Sequence, residues 1–124
     1  MRTGKRAAKG DRQRRYRSGF WGEAIAAAFL MLKGYRILAR RYSCGSGEID
    51  LIAVRGKRLA FIEVKRRASL EAAHASIGAE QAQRITNAAD IWLARNARYQ
   101  TYSIAFDAVF ILPRQWPVHV ENGV

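Results

Sequence analysis

The sequence has very few of the residues that build disulfide or zinc scaffolds. Cys44 is its only cysteine, and His74 and His119 are its only histidines. A single cysteine excludes an intramolecular disulfide, and so few cysteines and histidines exclude the usual kinds of structural zinc site. We therefore expect a protein of a reducing compartment, the cytoplasm.

Long apolar runs are also missing. The longest one, from Ala24 to Leu32, has nine residues, whereas a membrane-spanning helix needs about 20. We expect no transmembrane helix and no membrane partner. With 124 residues, two prolines and 49% hydrophobic residues, the chain is suited to one folded domain with a real core.

Acidic residues are scarce relative to basic ones. Ten Asp and Glu face 22 Lys and Arg, which gives a formal charge of +12. This balance favours polyanionic partners such as nucleic acid or an anionic membrane surface. Charge alone does not choose between these partners, and ribosome-associated proteins are often as basic.

The positive charge is concentrated at the start of the chain. Residues 1–17 contain eight Lys or Arg and one acid, and we interpret them as a flexible arm ahead of a folded domain of residues 18–124. Such an arm can gather phosphates without being ordered. The arginines that we expect to bind nucleic acid there are Arg12, Arg14, Arg15 and Arg17.

Apolar spacing predicts two helices. The first begins near Ser18, ends at Gly34 and is expected to bury a stripe of Ala24, Ile25, Ala28, Phe29 and Leu32. The second buries a face that includes Ile77, Ile85, Ala88, Ala89, Trp92 and Leu93. We expect Trp92 to be a core residue rather than a platform for stacking.

Strands are predicted between and after these helices. They run from Tyr35 to Tyr42, Glu48 to Val54, Leu59 to Arg66 and Thr101 to Leu112, with a short edge piece at Val118–Val120. A loop at 43–47 and a tight turn at Gly56 separate the first three. The order is α, β, β, β, α, β, which indicates a single α/β domain with a mixed central sheet flanked by helices.

Charged residues interrupt two strands that are otherwise apolar. The stretches are GEIDLIA (47–53) and FIEVKRR (61–67), and the charges within them are Asp50, Glu63 and Lys65. Burying an unpaired charge is unfavourable by several kcal/mol, roughly. Charges at such positions therefore tend to mark a functional site.

Strand geometry predicts that these charges share a pocket. Glu63 and Lys65 project from the same face about 6.6 Å apart, and the turn at Gly56 brings Asp50 alongside. Two carboxylates and a backbone carbonyl make a hard oxygen site for Mg²⁺ or Mn²⁺. The alternative is structural: Glu63 pairs with Lys65, and Asp50 pairs with Arg55 or Arg58. Spacing alone leaves both open.

The two stretches together resemble the PD-(D/E)XK nuclease superfamily, and more closely the YraN-like family of small bacterial proteins related to archaeal Holliday-junction resolvases. The resemblance runs from Gly19 to about Val120. It includes Gly22-Glu23, Gly34-Tyr35, the helix segment 89–93 and Phe106-Asp107. It implies a restriction-endonuclease-like αβββαβ core and metal-dependent chemistry on DNA.

The resemblance also implies roles for individual residues. Asp50 and Glu63 would bind the metal with the Val64 carbonyl, and Lys65 would be the catalytic base or charge stabiliser. Glu23 would reach the metal or its water, unless it is an ordinary solvent-exposed glutamate. DNA phosphates would contact Arg66 and Arg67, which follow the catalytic strand.

Two positions depart from the family pattern. Gln81 stands where relatives commonly carry Lys on the second helix, and Ala105 replaces an Arg that often precedes Phe-Asp on the last strand. Both changes remove positive charge near the expected phosphate path. We interpret Glu48 as a loop residue or a support for a ligand, and Asp107 as a structural partner of a core arginine.

Three hypotheses for function follow. The first is a nuclease-like enzyme that hydrolyses phosphodiesters in branched or otherwise structured DNA with Mg²⁺ or Mn²⁺. The second is a non-catalytic nucleic-acid binding module that keeps the fold without turnover. The third, a membrane-surface or ribosome-associated factor, depends on charge alone. An exposed edge strand near Val118 leaves a homodimer open.

Overall fold

A computed structural model describes residues 21–124, so the predicted arm of residues 1–17, with Arg12, Arg14, Arg15 and Arg17, lies outside the described residues. Helix α1 is described over residues 21–32. The elements that follow are β1 (Arg36–Cys44), β2 (Gly47–Arg55), β3 (Arg58–Arg66), α2 (Leu70–Ala75), α3 (Ala79–Arg95), a 3₁₀ turn (Ala97–Tyr99), β4 (Ser103–Ile111) and β5 (Val118–Val120). Apart from the short helix α2, this is the predicted order.

The strands form one sheet whose spatial order is the chain order, β1 to β5. Strands β1, β2 and β3 pair antiparallel as two successive hairpins. Strand β4 is parallel to β3 because helix α3 returns the chain to the same end of the sheet, and β5 is antiparallel to β4. The predicted α/β domain with a mixed sheet is thereby confirmed.

Two glycines set the ends of elements through positive φ angles. Gly34 has a φ of 94°, and it ends α1 in a Schellman motif in which the amides of Gly34 and Tyr35 donate to the carbonyls of Met31 and Leu30. Gly56 has a φ of 58°, as the first position of a primed hairpin turn requires. Both predicted turns are confirmed.

The sheet is covered on both faces. Helix α1 packs Ala26, Ala27 and Leu30 on one face, and helix α3 packs Ile85, Ala88, Ala89 and Trp92 on the other. The Trp92 ring meets Phe61 of β3 edge-on, with the centroids 5.8 Å apart. Trp92 is only 6% exposed, so the prediction that it belongs to the core is confirmed.

The predicted buried stripe of helix α1 is wrong. The buried residues are Gly22, Glu23, Ala26, Ala27 and Leu30, whereas Ile25 and Leu32 are 42% and 77% exposed. Ala28 is also exposed, and Ala24 and Phe29 are half-buried. An apolar run with no polar residue in it carries no contrast, so its periodicity cannot choose a face. The sheet takes the face with small alanines, which allow the helix to come close.

Three element boundaries also differ from prediction. Strand β1 extends to Cys44, which pairs with Gly47, so the expected loop is only a two-residue turn. Between the third predicted strand and the second predicted helix, residues 70–75 form the separate helix α2, because the Ser69 hydroxyl accepts a hydrogen bond from the Ala72 amide and caps it. Ile77 precedes α3 instead of belonging to it, and it packs against a cluster formed by Ala73 of α2 with Ala108, Phe110 and Leu112.

No helix within residues 21–124 is both long and apolar enough to cross a membrane.

A buried polar cluster joins β3, β4 and β5 on the α1 face of the sheet. Asp107 of β4 is fully buried and accepts hydrogen bonds from Arg58 at 2.5 and 2.9 Å. His119 of β5 lies 2.8 Å from Asp107, and the Asn122 amide donates to it at 2.8 Å. Asp107 is therefore the structural partner of an arginine, as predicted.

These partners also set the ionisation of Asp107. Burial alone would raise its pKa, but the hydrogen bonds from His119, Arg58 and the Asn122 amide outweigh burial and hold the pKa below its usual range. The carboxylate is therefore charged in the folded state at neutral pH. Its stabilising effect is present above pH 4, roughly, and is lost as the pH falls further.

Replacement of Asp107 should strongly destabilise the protein. We expect Asp107→Ala to lower the free energy of unfolding by about 3–5 kcal/mol at pH 7, because Arg58 is left partly buried without its partner. The difference from wild type should shrink below pH 4, roughly. Urea unfolding measures it. Glu121→Ala is the control, since Glu121 is 56% exposed and 3.8 Å from Arg58; equal losses in both variants would contradict the account.

Gly47 allows β2 to pass close to helix α3. A Cβ at this position would overlap the backbone carbonyl oxygen of Arg84, and a backbone atom inside a helix cannot rotate away. The motif that begins with Gly47 is therefore seated directly against the second turn of α3. This contact fixes the start of β2, and with it the position of Asp50.

Gly47→Ala should push β2 away from α3. We expect a loss of about 1–3 kcal/mol in the free energy of unfolding, as for other overpacked positions. Gly45→Ala provides the control, because its Cβ would meet nothing within 4 Å. Thermal unfolding of the two variants measures the contrast, and an unchanged Gly47→Ala midpoint would show that the contact is looser than described.

Candidate functional site

Strand β2 separates from β3 at Asp50, while it stays paired with β1 on either side of this residue. The pairing of β2 with β3 ends at Leu51 and Ile62, and the Asp50 side chain reaches across instead, where its Oδ2 accepts a hydrogen bond from the Val64 amide at 2.8 Å. On the other side Arg41 adopts a φ of 53°, a conformation that is uncommon for an arginine. The strands thus open at this point and leave room for a ligand.

Glu63 lies on β3 beside this opening. It is 5% exposed, and its Oε1 is 3.1 Å from the Lys65 Nζ. The same oxygen accepts a hydrogen bond from Gln81 of α3 at 2.5 Å. Glu63 and Lys65 therefore share a face, and helix α3 holds the carboxylate in place.

Gln81 is the contact that sequence reasoning missed. The sequence showed only that Gln81 replaces a lysine of the family pattern. In the structure it is a neutral hydrogen-bond donor to Glu63. Gln81 is 18 residues from Glu63 in sequence. No local pattern predicts their contact, because it depends on how α3 crosses the sheet.

Asp50 and Glu63 repel each other. Burial, followed by the negative charge of Glu63, raises the pKa of Asp50 to about 7. Burial also raises the pKa of Glu63, although the Lys65 ammonium opposes this effect. The pair therefore carries more negative charge than its protein surroundings compensate, and a cation would relieve the repulsion.

Glu23 approaches the pair from helix α1. It is 6% exposed, so the alternative prediction of a solvent-exposed glutamate is wrong. Its Oε2 accepts a hydrogen bond from the Arg41 Nε at 2.5 Å. Burial raises the pKa of Glu23, the Asp50 charge adds to that rise, and Arg41 opposes it. Glu23 is thus within the electrostatic reach of Asp50 while it is tied to Arg41.

Two clefts flank the carboxylates. One, of about 290 Å³, is lined by Glu23, Arg41, Ser43, Glu48, Ile49 and Asp50. The other, of about 360 Å³, lies at the start of α3 and includes Gln81 and Arg84. Glu48 lines both and pairs with Arg84 at 3.6 Å, so it is a rim residue. Asp50 lines the first cleft, and Gln81, which binds Glu63, lines the second.

The structural alternative for Asp50 is wrong. Arg58 pairs with Asp107, and the Arg55 guanidinium donates to the Lys33 carbonyl. The hydrogen bond of Asp50 goes to a backbone amide instead. The other half of that alternative, the ion pair of Glu63 with Lys65, is present.

Ala105 is buried in the core at 4% exposure and pairs with Ala60, three residues before Glu63.

The donor atoms of this site could hold a hard cation. Within the described part of the chain, no three His, Cys, Asp or Glu side chains converge as a metal cluster, so a site of the zinc kind is not built here. Mg²⁺ needs less, because it keeps several waters and takes one or two carboxylates. Asp50 and Glu63, with the Val64 carbonyl between Glu63 and Lys65, fit that requirement.

Comparison with known proteins gives the family. The model of "Uncharacterised protein family UPF0102" matches residues 22–111. The chain belongs to this family. A UPF0102 protein of Mesorhizobium japonicum is 60% identical over 91% of this chain and 90% of its own length. One of Chelativorans is 52% identical over 90% of each, and one of Methylorubrum populi is 50% identical over 85% of this chain and 84% of its own length.

The family match covers the whole candidate site. Glu23, Asp50, Glu63 and Lys65 all lie within residues 22–111, as does Gln81. The segment after β4, which contains Trp116, lies beyond the matched residues.

Removal of the Asp50 charge should stabilise the protein when no metal is present. The folded state binds the Asp50 proton more tightly than the unfolded chain does, so the stability of the wild type falls as the pH rises from about 4 towards 7. Asp50→Asn keeps an acceptor for the Val64 amide and loses the repulsion. We expect a gain of at least about 1 kcal/mol at pH 8, since a pKa change of one corresponds to about 1.4 kcal/mol.

Urea unfolding in EDTA at pH 5 and pH 8 measures this gain, which should be smaller at pH 5. Glu48→Gln is the matched control, because Glu48 is exposed and belongs to the same motif. A loss of stability in Asp50→Asn would contradict the repulsion and would show that the negative charge of Asp50 stabilises the fold.

Proposed function

We propose that this protein is a metal-dependent nuclease that hydrolyses phosphodiester bonds in branched or otherwise structured DNA, with a PD-(D/E)XK type of site. The observation that carries the proposal is the pair of Asp50, which is half-buried, and Glu63, which is buried, with the Lys65 ammonium 3.1 Å from Glu63. A structural ion pair needs one carboxylate for one lysine. The second carboxylate leaves the pair with excess negative charge in a cleft open to solvent.

The side chains have separate tasks in this reaction. Asp50, Glu63 and the Val64 carbonyl would hold a divalent cation, which supplies a Lewis acid and a water molecule of lowered pKa. Lys65 presents its ammonium on the same strand face and can stabilise charge that develops on a phosphoryl oxygen. Gln81 holds the Glu63 carboxylate in place by a hydrogen bond, and Glu23, which interacts electrostatically with Asp50, would orient a water.

The surface around the site supports a polyanionic substrate. Arg66 and Arg67 follow Lys65 directly and are exposed at the end of β3. The whole chain carries a formal charge of +12. Contacts of arginine with phosphates position a nucleic acid without reading its sequence, which suits recognition of DNA by shape.

Gln81 bears on the alternative of binding without turnover. A glutamine supplies the hydrogen bond that holds Glu63 but no positive charge for a phosphate. The remaining cation at the pair is Lys65, and its substitution is therefore the most informative one. A protein that binds branched DNA and never cleaves it would be the non-catalytic module.

Cleavage assays separate these functions. The purified protein is incubated with supercoiled, linear and four-way-junction DNA in Mg²⁺, Mn²⁺ or EDTA. We expect cleavage of the branched substrate that EDTA abolishes, and a fall of about 100-fold or more in Glu63→Ala and Lys65→Ala, as for the loss of one charge-stabilising group.

Lys57→Ala serves as the charge-matched control, since Lys57 lies in the turn at the opposite end of β3. Cleavage that persists in both site variants would come from a contaminant and would refute the site. Binding without cleavage in every metal would refute the enzyme and leave the binding module.

A further inference from the structure

The loop that joins β4 to β5 exposes a tryptophan. Residues 112–117 form this segment, here called the Trp116 loop, and Trp116 is 73% exposed. One side of its ring rests on Phe29 of α1, with centroids 6.4 Å apart. A large apolar ring held on a folded support and open on its other side is a recurrent feature of binding surfaces.

A positively charged cavity adjoins the Trp116 loop. Its volume is about 330 Å³, and its walls include Arg66, Arg67, Arg114 and the apolar side chain of Ile25. Gln115 and Pro117, the neighbours of Trp116 on either side, also line it. Among the described residues that line this cavity, none is acidic. Three guanidinium groups without a carboxylate fit an anionic ligand.

The backbone fixes this arrangement to the end of the candidate catalytic strand. Arg66 pairs with Ile111 in the parallel ladder of β3 and β4, and the Arg67 amide donates to the Ile111 carbonyl at 3.2 Å. Arg114 has a φ of 61°, a left-handed conformation that turns the chain back towards β5. The cavity therefore sits beside Lys65, one residue before Arg66.

The candidate metal site and this cavity lie on opposite faces of β3. Alternation sends Lys65 to the α3 face and Arg66 to the α1 face, and Arg66 accordingly lines a cavity with Ile25 of α1. A ligand that contacts both must bend around the end of the strand. A straight duplex is too stiff for this path, whereas a strand that leaves a duplex at a branch can follow it.

We infer that the Trp116 loop is a second nucleic-acid subsite, where Trp116 stacks on an unpaired base and Arg66, Arg67 and Arg114 bind the adjoining phosphates. An exposed aromatic ring beside a cationic groove is the combination that binds single strands. The inference builds on the proposed function and specifies its substrate: DNA with an unpaired strand next to the phosphate that is attacked.

Binding measurements test this subsite without cleavage. Fluorescence anisotropy at fixed salt and in EDTA compares a flapped duplex with a blunt duplex of the same length. We expect Trp116→Ala to weaken binding of the flapped DNA about 10-fold, as for the loss of one stacked base, with the blunt duplex changed less than twofold, roughly. Trp116→Phe should keep most of the affinity.

Leu32→Ala is the matched control, since Leu32 is a 77% exposed apolar residue of the same helix as Phe29. A second readout is the fluorescence of 2-aminopurine placed in the flap, which wild type should quench and Trp116→Ala should not. If Trp116 contributed only to folding, Trp116→Ala would lower the affinities for flapped and blunt DNA by the same factor. The quenching per bound DNA molecule would then equal that of the wild type.

Other outcomes overturn the inference. The first is equal affinity of wild type and Trp116→Ala for the flapped DNA. The second is that Trp116→Ala loses binding to anionic lipid vesicles while its DNA binding is unchanged. Either result is distinct from a failure of the proposed function, which depends on cleavage by wild type and its loss in Glu63→Ala. Selective loss of flap binding without any cleavage would uphold the subsite on a non-catalytic protein.

Discussion

Repulsion between two neighbouring carboxylates, the half-buried Asp50 and the buried Glu63, is the interaction on which the rest of the site depends. The pair occupies the place where β2 parts from β3, and burial together with the Glu63 charge raises the pKa of Asp50 to about 7. A fold selected for stability alone would replace one of these residues by an apolar one. A bound cation would compensate the negative charge of the two carboxylates. The surrounding structure keeps both side chains in place.

Several contacts keep the two carboxylates close together despite their repulsion. Gly47 seats β2 against the backbone of α3, and Gln81 of the same helix binds Glu63. On the opposite face Arg41 ties Glu23 of α1 near Asp50. The Arg58–Asp107 cluster anchors β3 to β4 farther along the sheet. The site thus lies between two helices that are each fixed independently to the sheet.

Much of this could be predicted from the sequence, because strand alternation and turn chemistry are local. The order of the elements, the turn at Gly56, and the shared face of Glu63 and Lys65 followed from spacing. The buried face of α1 did not, since its apolar run has no polar contrast. The Gln81 contact, the burial of Glu23 and the exposure of Trp116 depend on how distant elements pack, and no local pattern encodes them.

Titration of Mn²⁺ into the metal-free protein, followed by calorimetry, tests the central claim most directly. We expect one saturable site in the wild type, binding weakened at least about 10-fold in Asp50→Asn and in Glu63→Gln, and unchanged binding in Glu71→Gln, since Glu71 is an exposed residue of α2. Equal binding of Mn²⁺ by all four proteins, or no binding by the wild type, would contradict it.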